Sequence, residues 1–458
     1  MTPSYLEGVP DGPGPGAARS RRRFLREAVG VSGLIATGGL VLDLTGCAGP
    51  DGAGRAGSTD TTPTTGDVRG AGAEPPATTL PSSPATLGAH DVLFALDAVA
   101  SSGTPDQTVR RACTSLDWSW LDHGDSVFVK LAANSPHQHP SVTAPAAVRA
   151  VVAELYERGA GRVLVGDQSG VSYVRVAADG RRFGSTRACL RDNGLLEAIT
   201  TAGAEPHLFD EADFHTGFFE AQAPPGSHWT QPLALPSVIR EVDHVIYLPR
   251  ISAHAIAGYT AGHKISIGWL REDSRNHLHS DAASFYEKYT EVNYVPELRD
   301  RFRLAIVLAE ELLLHFGPDN GGTVVSADPR IVLAAADLAA LDSVLSGLLV
   351  HLNKGTQPAA GVRPYSASTA NGFNRSFVTR AVESSTGIPW GPATPADYRP
   401  LEAHHYEQGI SADRALSRAW EIIGGRPEVI NVVPSGAPVA DDLAAAITAH
   451  GEGLVSFA

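Results

Sequence analysis

The fold class can be deduced from one stretch, residues 126–165, with the sequence SVFVKLAANSPHQHPSVTAPAAVRAVVAELYERGAGRVLV. Alternating apolar residues at 126–130 predict a strand, and the apolar spacing of residues 145–158 predicts a helix that stops at Gly159. The apolar run at 162–165 predicts the next strand. A strand, a helix and a strand within this length imply two parallel strands joined by a right-handed crossover.

The same alternation continues along the chain. Residues 186–202 predict a helix, and residues 207–209 predict a short strand. The apolar run HVIYL at 244–248 predicts a buried strand, and residues 298–316 predict a long amphipathic helix. Residues 331–350 predict a short strand followed by a helix. We therefore expect an α/β fold with a mostly parallel sheet and flanking helices.

The globular part of the chain is expected to have two segments. Residues 89–352 hold the predicted α/β core. After about residue 353 the pattern weakens into a region rich in Pro, Gly and Ser, where residues 411–424 still predict a helix and residues 429–433 a strand. Residues 353–458 are therefore expected to form a smaller C-terminal α/β extension or cap.

The composition limits the functional classes. A hydrophobic content of 43% over 458 residues is enough for a large core, and a formal charge of −14 argues against binding to nucleic acid or to anionic lipid. The chain has three cysteines, which is too few for an ordinary iron–sulfur cluster or a Cys-rich zinc site. Cys113 and Cys189 could pair or remain as buried thiols, and the sequence leaves both possibilities open.

Residues 1–47 resemble a twin-arginine export signal joined to a lipobox. Arg21 and Arg22 precede a Phe-Leu pair, and a mildly apolar, Gly-rich stretch then ends in Leu-Thr-Gly-Cys at Cys47. This stretch is too short and too weakly apolar to predict a membrane span. The resemblance implies translocation by the twin-arginine export machinery and attachment of lipid to Cys47.

The linker that follows is consistent with such an anchor. Residues 48–88 consist mostly of Gly, Pro, Thr, Ser and Ala, and this composition predicts a flexible tether. We therefore expect the protein to be exported and lipid-anchored on the extracytoplasmic face of the cell membrane.

The candidate functional segment is RISAHAIAGYTAGHKISIGWLREDSRNHLH, residues 250–279, which contains four histidines and one lysine. It follows the predicted strand at 244–248, so it would leave the carboxyl end of a sheet strand, where open α/β sheets bind ligands. Gly258 and Gly262 permit backbone conformations and close approaches that other residues resist. Although single histidines in loops are usually structural, this cluster favours a functional site.

The side chains of this segment suit several kinds of chemistry. His254 and Lys264 can transfer protons or bind anions, and the amine of Lys264 can also form an imine or an amide. His277 and His279 can ligate a metal. We expect Asp337 and Asp342, farther along the chain, to be helix-cap and helix-surface residues.

A resemblance to the family called domain of unknown function 362 rests on several motifs. These are VFVKLAANSP at 127–136, ERGAGRVLVGDQSG at 157–170, the strand and loop with His254 and Lys264, and LAAADLAALDSVLSGLL at 333–349. Some members of that family are fused to ferredoxin-type modules, but this chain lacks the ferredoxin cysteines. No iron–sulfur cluster is therefore expected here.

The segment from His254 to Lys264, HAIAGYTAGHK, is also similar to a segment of the lactate racemase family. The resemblance implies that Lys264 tethers a nickel-pincer nucleotide, that His254 is the proton shuttle, and that His277 or His279 ligates nickel. The implied chemistry is proton removal from the hydroxyl of a 2-hydroxy acid. The racemases carry a second catalytic histidine after a comparable strand, which this chain lacks there. His137 or His139 could supply the missing acid or base.

Three functions remain open from the sequence. The first is a cofactor- or metal-dependent enzyme that acts on a small organic acid, with Lys264, Gly258 and Gly262 among the residues that bind the cofactor. The second is a tethered binding protein that captures a small anionic ligand with Lys264, Lys130 and backbone amides.

The third possibility is an enzyme that activates a metal-bound water, with His254, His277 and His279 as ligands of a divalent metal. Asp167 follows the strand at 162–165 and could join such a site, or could help to bind a cofactor together with Lys130.

Overall fold

The structure, a computed structural model, describes residues 87–97, 103–392 and 394–458. Arg21, Arg22 and Cys47 lie outside the described residues, as does nearly all of the predicted tether. Within those ranges no helix has the length and hydropathy that a bilayer crossing requires.

Strands and helices alternate along most of the described chain. The strands are β1 (Val92–Leu96), β2 (Ser126–Leu131), β3 (Arg162–Gly166), β4 (Arg175–Val176), β5 (Arg182–Phe183), β6 (Glu205–Pro206), β7 (Phe218–Ala221), β8 (Leu233–Pro236), β9 (His244–Leu248), β10 (Ser252–His254), β11 (Gly258–Thr260), β12 (Phe302–Leu314), β13 (Thr323–Ala335), β14 (Ile430–Gly436) and β15 (Val455–Phe457). The helices are α1 (Pro105–Cys113), α2 (Pro145–Glu157), α3 (Thr186–Asp192), α4 (Leu195–Thr201), α5 (Glu272–Ser280), α6 (Phe285–Val292), α7 (Pro296–Arg299), α8 (Leu338–Gly355), α9 (Ala367–Ser376), α10 (Val382–Thr386), α11 (Arg414–Ile423) and α12 (Asp441–His450).

One large mixed sheet organises these elements. Its strand order is β15-β14-β1-β13-β12-β9-β2-β3-β6. Only β13 is antiparallel to its neighbours β1 and β12, and the other adjacent pairs in this order are parallel. The expected α/β fold with a mostly parallel sheet is confirmed. The C-terminal strands β14 and β15 extend this same sheet beside β1.

Helices cover both faces of the sheet because successive strand residues point to opposite faces. Phe128 of β2 packs in one apolar core, and its neighbours Val127 and Val129 pack in the other. Helix α2 covers the second core with side chains that include Val151. Helix α8 covers the first core, and it begins where the side chain of Asp337 caps its first turn.

The predicted helix at 298–316 was wrong. That stretch is a single turn of helix, α7, followed by the long strand β12, which pairs with β13 over nearly its whole length. The run is buried on both sides, and a continuous apolar segment of this kind cannot be assigned to a helix or a strand by periodicity alone. The backbone hydrogen bonds from β13 stabilise this run as a strand rather than as a helix.

Other predictions differ from the structure in detail. The helix expected at 186–202 is two helices, α3 and α4, separated at Gly194, whose φ of +84° favours glycine. The short strand expected at 207–209 lies at Glu205–Pro206 instead. Cys113 and Cys189 are buried and do not form a disulfide with each other.

Candidate functional site

The candidate site lies at the carboxyl ends of β2, β3 and β9, which are adjacent and parallel. The segment after β9 carries Arg250, His254 and Lys264, as the position of the HVIYL strand predicted. The segments after β2 and β3 contribute Asn134 and Asp167. Ligands of open α/β sheets bind at this end of the strands.

Gly258 and Gly262 of the segment are required by close packing. Gly258 lies opposite His254 in a short hairpin formed by β10 and β11, and its φ is +79°. A Cβ atom there would lie 2.7 Å from a ring carbon of Tyr406. At Gly262 a Cβ atom would lie 2.8 Å from Oδ1 of Asp342. Both glycines therefore shape the loop that carries His254 and Lys264.

Asp342 fixes the turn just before Lys264. Its carboxylate accepts the backbone N–H of Gly262 at 2.6 Å and that of His263 at 2.9 Å. The ring Nδ1 of His263 also lies 2.9 Å from this carboxylate, and Nε2 lies 3.0 Å from the hydroxyl of Tyr294. Asp342 is only 1% exposed, so the expectation of a helix-surface residue was wrong.

Lys130 and Asp167 form a buried ion pair beneath the same turn. The ammonium of Lys130 donates to Asp167 Oδ1 at 2.6 Å, to the carbonyl of Leu131 at 2.7 Å and to the carbonyl of Ile265 at 3.2 Å. Asp167 Oδ2 accepts the N–H of Ala133 at 2.7 Å. All three ammonium hydrogens are thus used within the protein, and the pair secures the residue that follows Lys264.

The amine of Lys264 has no hydrogen bond or ion pair with any described residue. The Lys264 side chain is half-buried. Burial lowers the pKa of Lys264 to about 7, with further lowering by the charges of Arg250 and Arg275 and an opposing effect of Asp319. A large fraction of this amine is therefore neutral near pH 7.

His254 has a fixed ring orientation. Its Nδ1 accepts the backbone N–H groups of Ile256 and Ala257, each at 3.1 Å. Burial holds the pKa of His254 well below its usual range, and the positive charges of Lys264 and Arg250 lower it further. The ring is therefore neutral, with its hydrogen on Nε2.

His279 is held by the amide of Asn374. Its Nδ1 lies 3.0 Å from Asn374 Oδ1, and Asn374 Nδ2 donates to the carbonyl of His279 at 2.9 Å. The rings of Phe285, Phe377 and Trp390 surround the imidazole. Burial lowers the pKa of His279 to about 4, against the hydrogen bond to Asn374, which raises it.

His277 lies away from His279 and contacts other residues. Its Nε2 lies 3.2 Å from Thr230 Oγ1 and 3.8 Å from Asp281 Oδ2. Side chains two positions apart on a helix point about 200° away from each other, so α5 separates His277 from His279. In the described ranges no three His, Cys, Asp or Glu side chains are grouped as a metal site would require.

A polar network that the sequence did not predict lies beside Lys264. Asp319 accepts the hydroxyl of Tyr173 at 2.8 Å and the amide of Asn134 at 2.9 Å. The carbonyl of Asn134 in turn accepts from the guanidinium of Arg250 at 3.1 Å. Burial raises the pKa of the Asp319 carboxyl. Asp319 lies in the β12–β13 hairpin, which the predicted helix at 298–316 concealed.

The two histidines considered as an additional acid or base lie apart. The ring of His137 is 6.3 Å, centre to centre, from the ring of Tyr173, at the edge of the Asp319 network. His139 instead lines a separate cleft of about 640 Å³, together with Glu310 and Glu311. Neither His254 nor Lys264 lines that cleft.

The site holds an excess of buried positive charge. Among the described residues, Arg275 donates only to carbonyl oxygens, those of Leu270, Ser169, Gln168 and Gly268. Arg250 donates to the carbonyls of Pro140 and Pro318 and to the side-chain oxygen of Asn134, so neither guanidinium is bonded to a carboxylate in the described part of the chain. These two cations near Lys264 give this part of the protein a positive field that suits an anion.

Comparisons with known proteins support the resemblance to domain of unknown function 362. Residues 127–346 match the family described as Domain of unknown function (DUF362), so that resemblance is confirmed over those residues. The chain is 25% identical over 246 residues to the thylakoid-associated protein sll1697 of Synechocystis sp., a match that covers 52% of this chain and 67% of that protein.

Among solved structures, the lactate racemase apoprotein from Thermoanaerobacterium thermosaccharolyticum is distantly similar. The TM-score is 0.33 and the sequence identity 9%, and the match covers 54% of each chain. The chain thus spans about half the length of the racemase that it matches.

Proposed function

We propose that this protein is an enzyme that acts on a small organic acid at the site that contains His254, Lys264 and His279, with its cofactor attached to Lys264. The observation that carries this proposal is the half-buried Lys264, whose amine has no hydrogen-bond or ion-pair partner among the described residues and whose pKa is lowered by burial to about 7. A neutral lysine amine is the form that makes covalent bonds to carbonyl-type carbon.

Lys264 differs from the other lysines of the chain because it has neither a carboxylate partner among the described residues nor full exposure. The whole chain has four lysines. Lys130 and Lys288 are buried in ion pairs with Asp167 and Asp281, and Lys354 is exposed. Burying a lysine without a carboxylate is costly for folding, and such lysines are common where the amine has chemistry to perform.

The residues present fit the nickel-pincer nucleotide that the racemase-like segment implies. Lys264 offers an uncommitted amine for the covalent link. His279 offers a lone pair on Nε2, because its Nδ1 is engaged by Asn374 in the manner that orients metal-ligating histidines. When bound, such a group would supply oxidation–reduction chemistry at the carbon that bears the hydroxyl of a 2-hydroxy acid.

The remaining groups of the site bind and orient the substrate. Arg250 and Arg275 provide a positive field for the carboxylate, and the burial of His254 and His279 excludes water. The separation of His277 from the other two histidines disfavours the alternative in which His254, His277 and His279 together hold a metal.

We further propose that the protein works outside the cytoplasm, anchored by lipid on Cys47 after export through the twin-arginine machinery. The support is the sequence pattern around Arg21, Arg22 and Cys47. Replacement of both arginines by lysine is expected to retain the protein in the cytoplasm. Cys47→Ser is expected to release an exported but unlipidated form, as fractionation and labelling with a fatty acid would show.

Intact-mass and metal analysis of the full chain from a native-like host tests the enzyme proposal. A covalent adduct mapped to Lys264, together with stoichiometric nickel, is expected, and Lys264→Ala is expected to lose both while Lys354→Ala keeps both. An unmodified Lys264 with bound zinc or iron would favour a metal-dependent enzyme instead.

The second candidate, a tethered binding protein for a small anionic ligand, is favoured by the excess of buried positive charge. In that case the chain carries neither adduct nor metal. Lys264→Ala then only weakens the affinity for an anion such as lactate, and no turnover is detected.

A further inference from the structure

We propose that His254 donates a hydrogen bond from Nε2 to an oxygen of the ligand, and that the imidazole lone pair of this site belongs to Nε2 of His279. This inference rests on the proposed function in one respect only, that the ligand binds beside Lys264. It assigns His254 a different task from the proton shuttle that the racemase resemblance implies.

The tautomer of His254 follows from backbone chemistry. Backbone N–H groups are always donors, so the nitrogen that faces those of Ile256 and Ala257 must present a lone pair. A neutral imidazole has one lone pair and one N–H. Since the lone pair is on Nδ1, the hydrogen is on Nε2, which has no hydrogen-bond partner among the described residues.

The tautomer of His279 is the opposite one, with its hydrogen on Nδ1. Its own carbonyl can only accept, and it faces Nδ2 of Asn374, so the Asn374 carbonyl oxygen must face the ring. An oxygen that only accepts requires an N–H on Nδ1 of His279. The lone pair is therefore on Nε2, where it can bind a metal or take a proton.

Nearby positive charges act on both rings in the same direction as burial. Lys264 lowers the pKa of each ring, Arg250 lowers that of His254, and Arg275 lowers that of His279. His279 further lowers the pKa of His254, whereas the hydrogen bond to Asn374 raises that of His279. No carboxylate among the described residues is bonded to either ring.

A chemical consequence follows for the ligand. To remove a proton with Nε2, His254 would first need a hydrogen on Nδ1, and both amide contacts would then be lost. The ring as it stands can only donate from Nε2, so the ligand atom that it meets is an acceptor such as a carboxylate, carbonyl or alkoxide oxygen. A donor that stays neutral stabilises negative charge without losing its own hydrogen.

The test is nitrogen NMR of the full chain labelled with ¹⁵N in its histidine rings. The resonances of His254 and His279 are assigned by their loss in His254→Gln and His279→Asn. The expected result is an unprotonated Nδ1 and a protonated Nε2 for His254, and the reverse for His279. A protonated Nδ1 on His254, or a protonated Nε2 on His279, would overturn the proposal.

A binding measurement tests the donor role separately, with lactate as the probe. His254→Gln keeps a side-chain N–H and is expected to bind within a few-fold of the unmodified chain, whereas His254→Ala is expected to lose about tenfold in affinity. Equal binding by His254→Ala, in a variant that remains folded, contradicts the donor role. Failure of the unmodified chain to bind lactate would count against the proposed substrate class, while the NMR result still decides the tautomer.

Discussion

The carboxylate of Asp342 accepts the backbone N–H of Gly262 at 2.6 Å, although the two residues are 80 positions apart in the chain. Asp342 lies within helix α8, and Gly262 begins the turn that presents Lys264. The orientation of the candidate reactive lysine therefore depends on a helix that belongs to the apolar core.

Asp342→Asn is expected to destabilise this connection. The amide side chain has one acceptor oxygen where the carboxylate has two, so a buried N–H of Gly262 or His263 is left without a partner. The expected loss is about 1 to 3 kcal/mol in the free energy of unfolding, measured by urea denaturation. The exposed Glu428→Gln serves as control and should change stability by less than about 0.5 kcal/mol. Unchanged stability in Asp342→Asn would contradict this role.

The elements that the sequence predicted correctly are those with a local signal. The strands β2, β3 and β9 and the helix α2 follow from periodicity within a few residues, and these strands place the site at their carboxyl ends. Strand β12 could not be recognised in this way, because its identity depends on pairing with β13. A buried apolar run satisfies both a helix and a strand until the partner is known.

The parts of the site that escaped prediction are the partners from distant segments. Asn374 lies in helix α9, and Asp319 lies in the β12–β13 hairpin, far from Lys264 in sequence. The sequence predicted Lys130 to be a ligand-binding residue, but its three hydrogen bonds to Asp167, Leu131 and Ile265 appear only after folding. Residue type alone does not show whether a polar group is already satisfied.

The reactivity of Lys264 should have an unusual pH dependence. In protein whose Lys264 is unmodified by mass analysis, the rate of acylation at this residue is expected to rise with pH and level off with a midpoint near its pKa of about 7. The exposed Lys354 is the internal control and should continue to gain reactivity toward pH 10, as an ordinary lysine does. Quantitative peptide mass spectrometry measures both rates. A Lys264 profile that parallels Lys354 would show that the amine is not perturbed.

Asp319→Asn is expected to lower the pKa of Lys264. The negative charge of Asp319 favours the ammonium form of Lys264, so its removal leaves the charges of Arg250 and Arg275 unopposed. The midpoint of the acylation profile should therefore move to lower pH. The exposed Asp442→Asn, which carries the same charge change, should leave the midpoint in place. A midpoint that stays or rises in Asp319→Asn would show that this carboxylate does not act on the amine.

Gly268→Ala is expected to break the Lys130–Asp167 ion pair. A Cβ atom at residue 268 would lie 2.0 Å from Asp167 Oδ1 and 2.3 Å from Lys130 Nζ, so one of the two charged groups must move. Disruption of a buried pair costs about 3 to 5 kcal/mol, and chemical denaturation should detect this loss. Gly355→Ala is the matched control, because a Cβ atom there meets no atom within 4 Å. Equal stability of the two variants would refute the strain argument.

The stability of the fold should decrease as the pH falls from about 6.5 to 4, and His404 should account for part of this loss. Its ring is fully buried against Tyr286, with ring centres 4.1 Å apart, and burial lowers its pKa to about 4. Because the unfolded chain takes up a proton near pH 6.5 and the folded chain does not, stability is complete above that pH and is lost on acidification.

His404→Phe keeps an aromatic ring beside Tyr286 but removes this proton uptake. The difference in unfolding free energy between pH 6.5 and pH 4.5 is therefore expected to shrink by about 2 to 3 kcal/mol, measured by denaturation at both pH values. The neighbouring His405 is exposed, so His405→Gln should leave the difference unchanged. If His404→Phe loses as much stability on acidification as the unmodified chain, then His404 is not held neutral by the fold. The acid sensitivity must in that case come from the other buried histidines, among them His254 and His279, whose pKa values are lowered in the same direction.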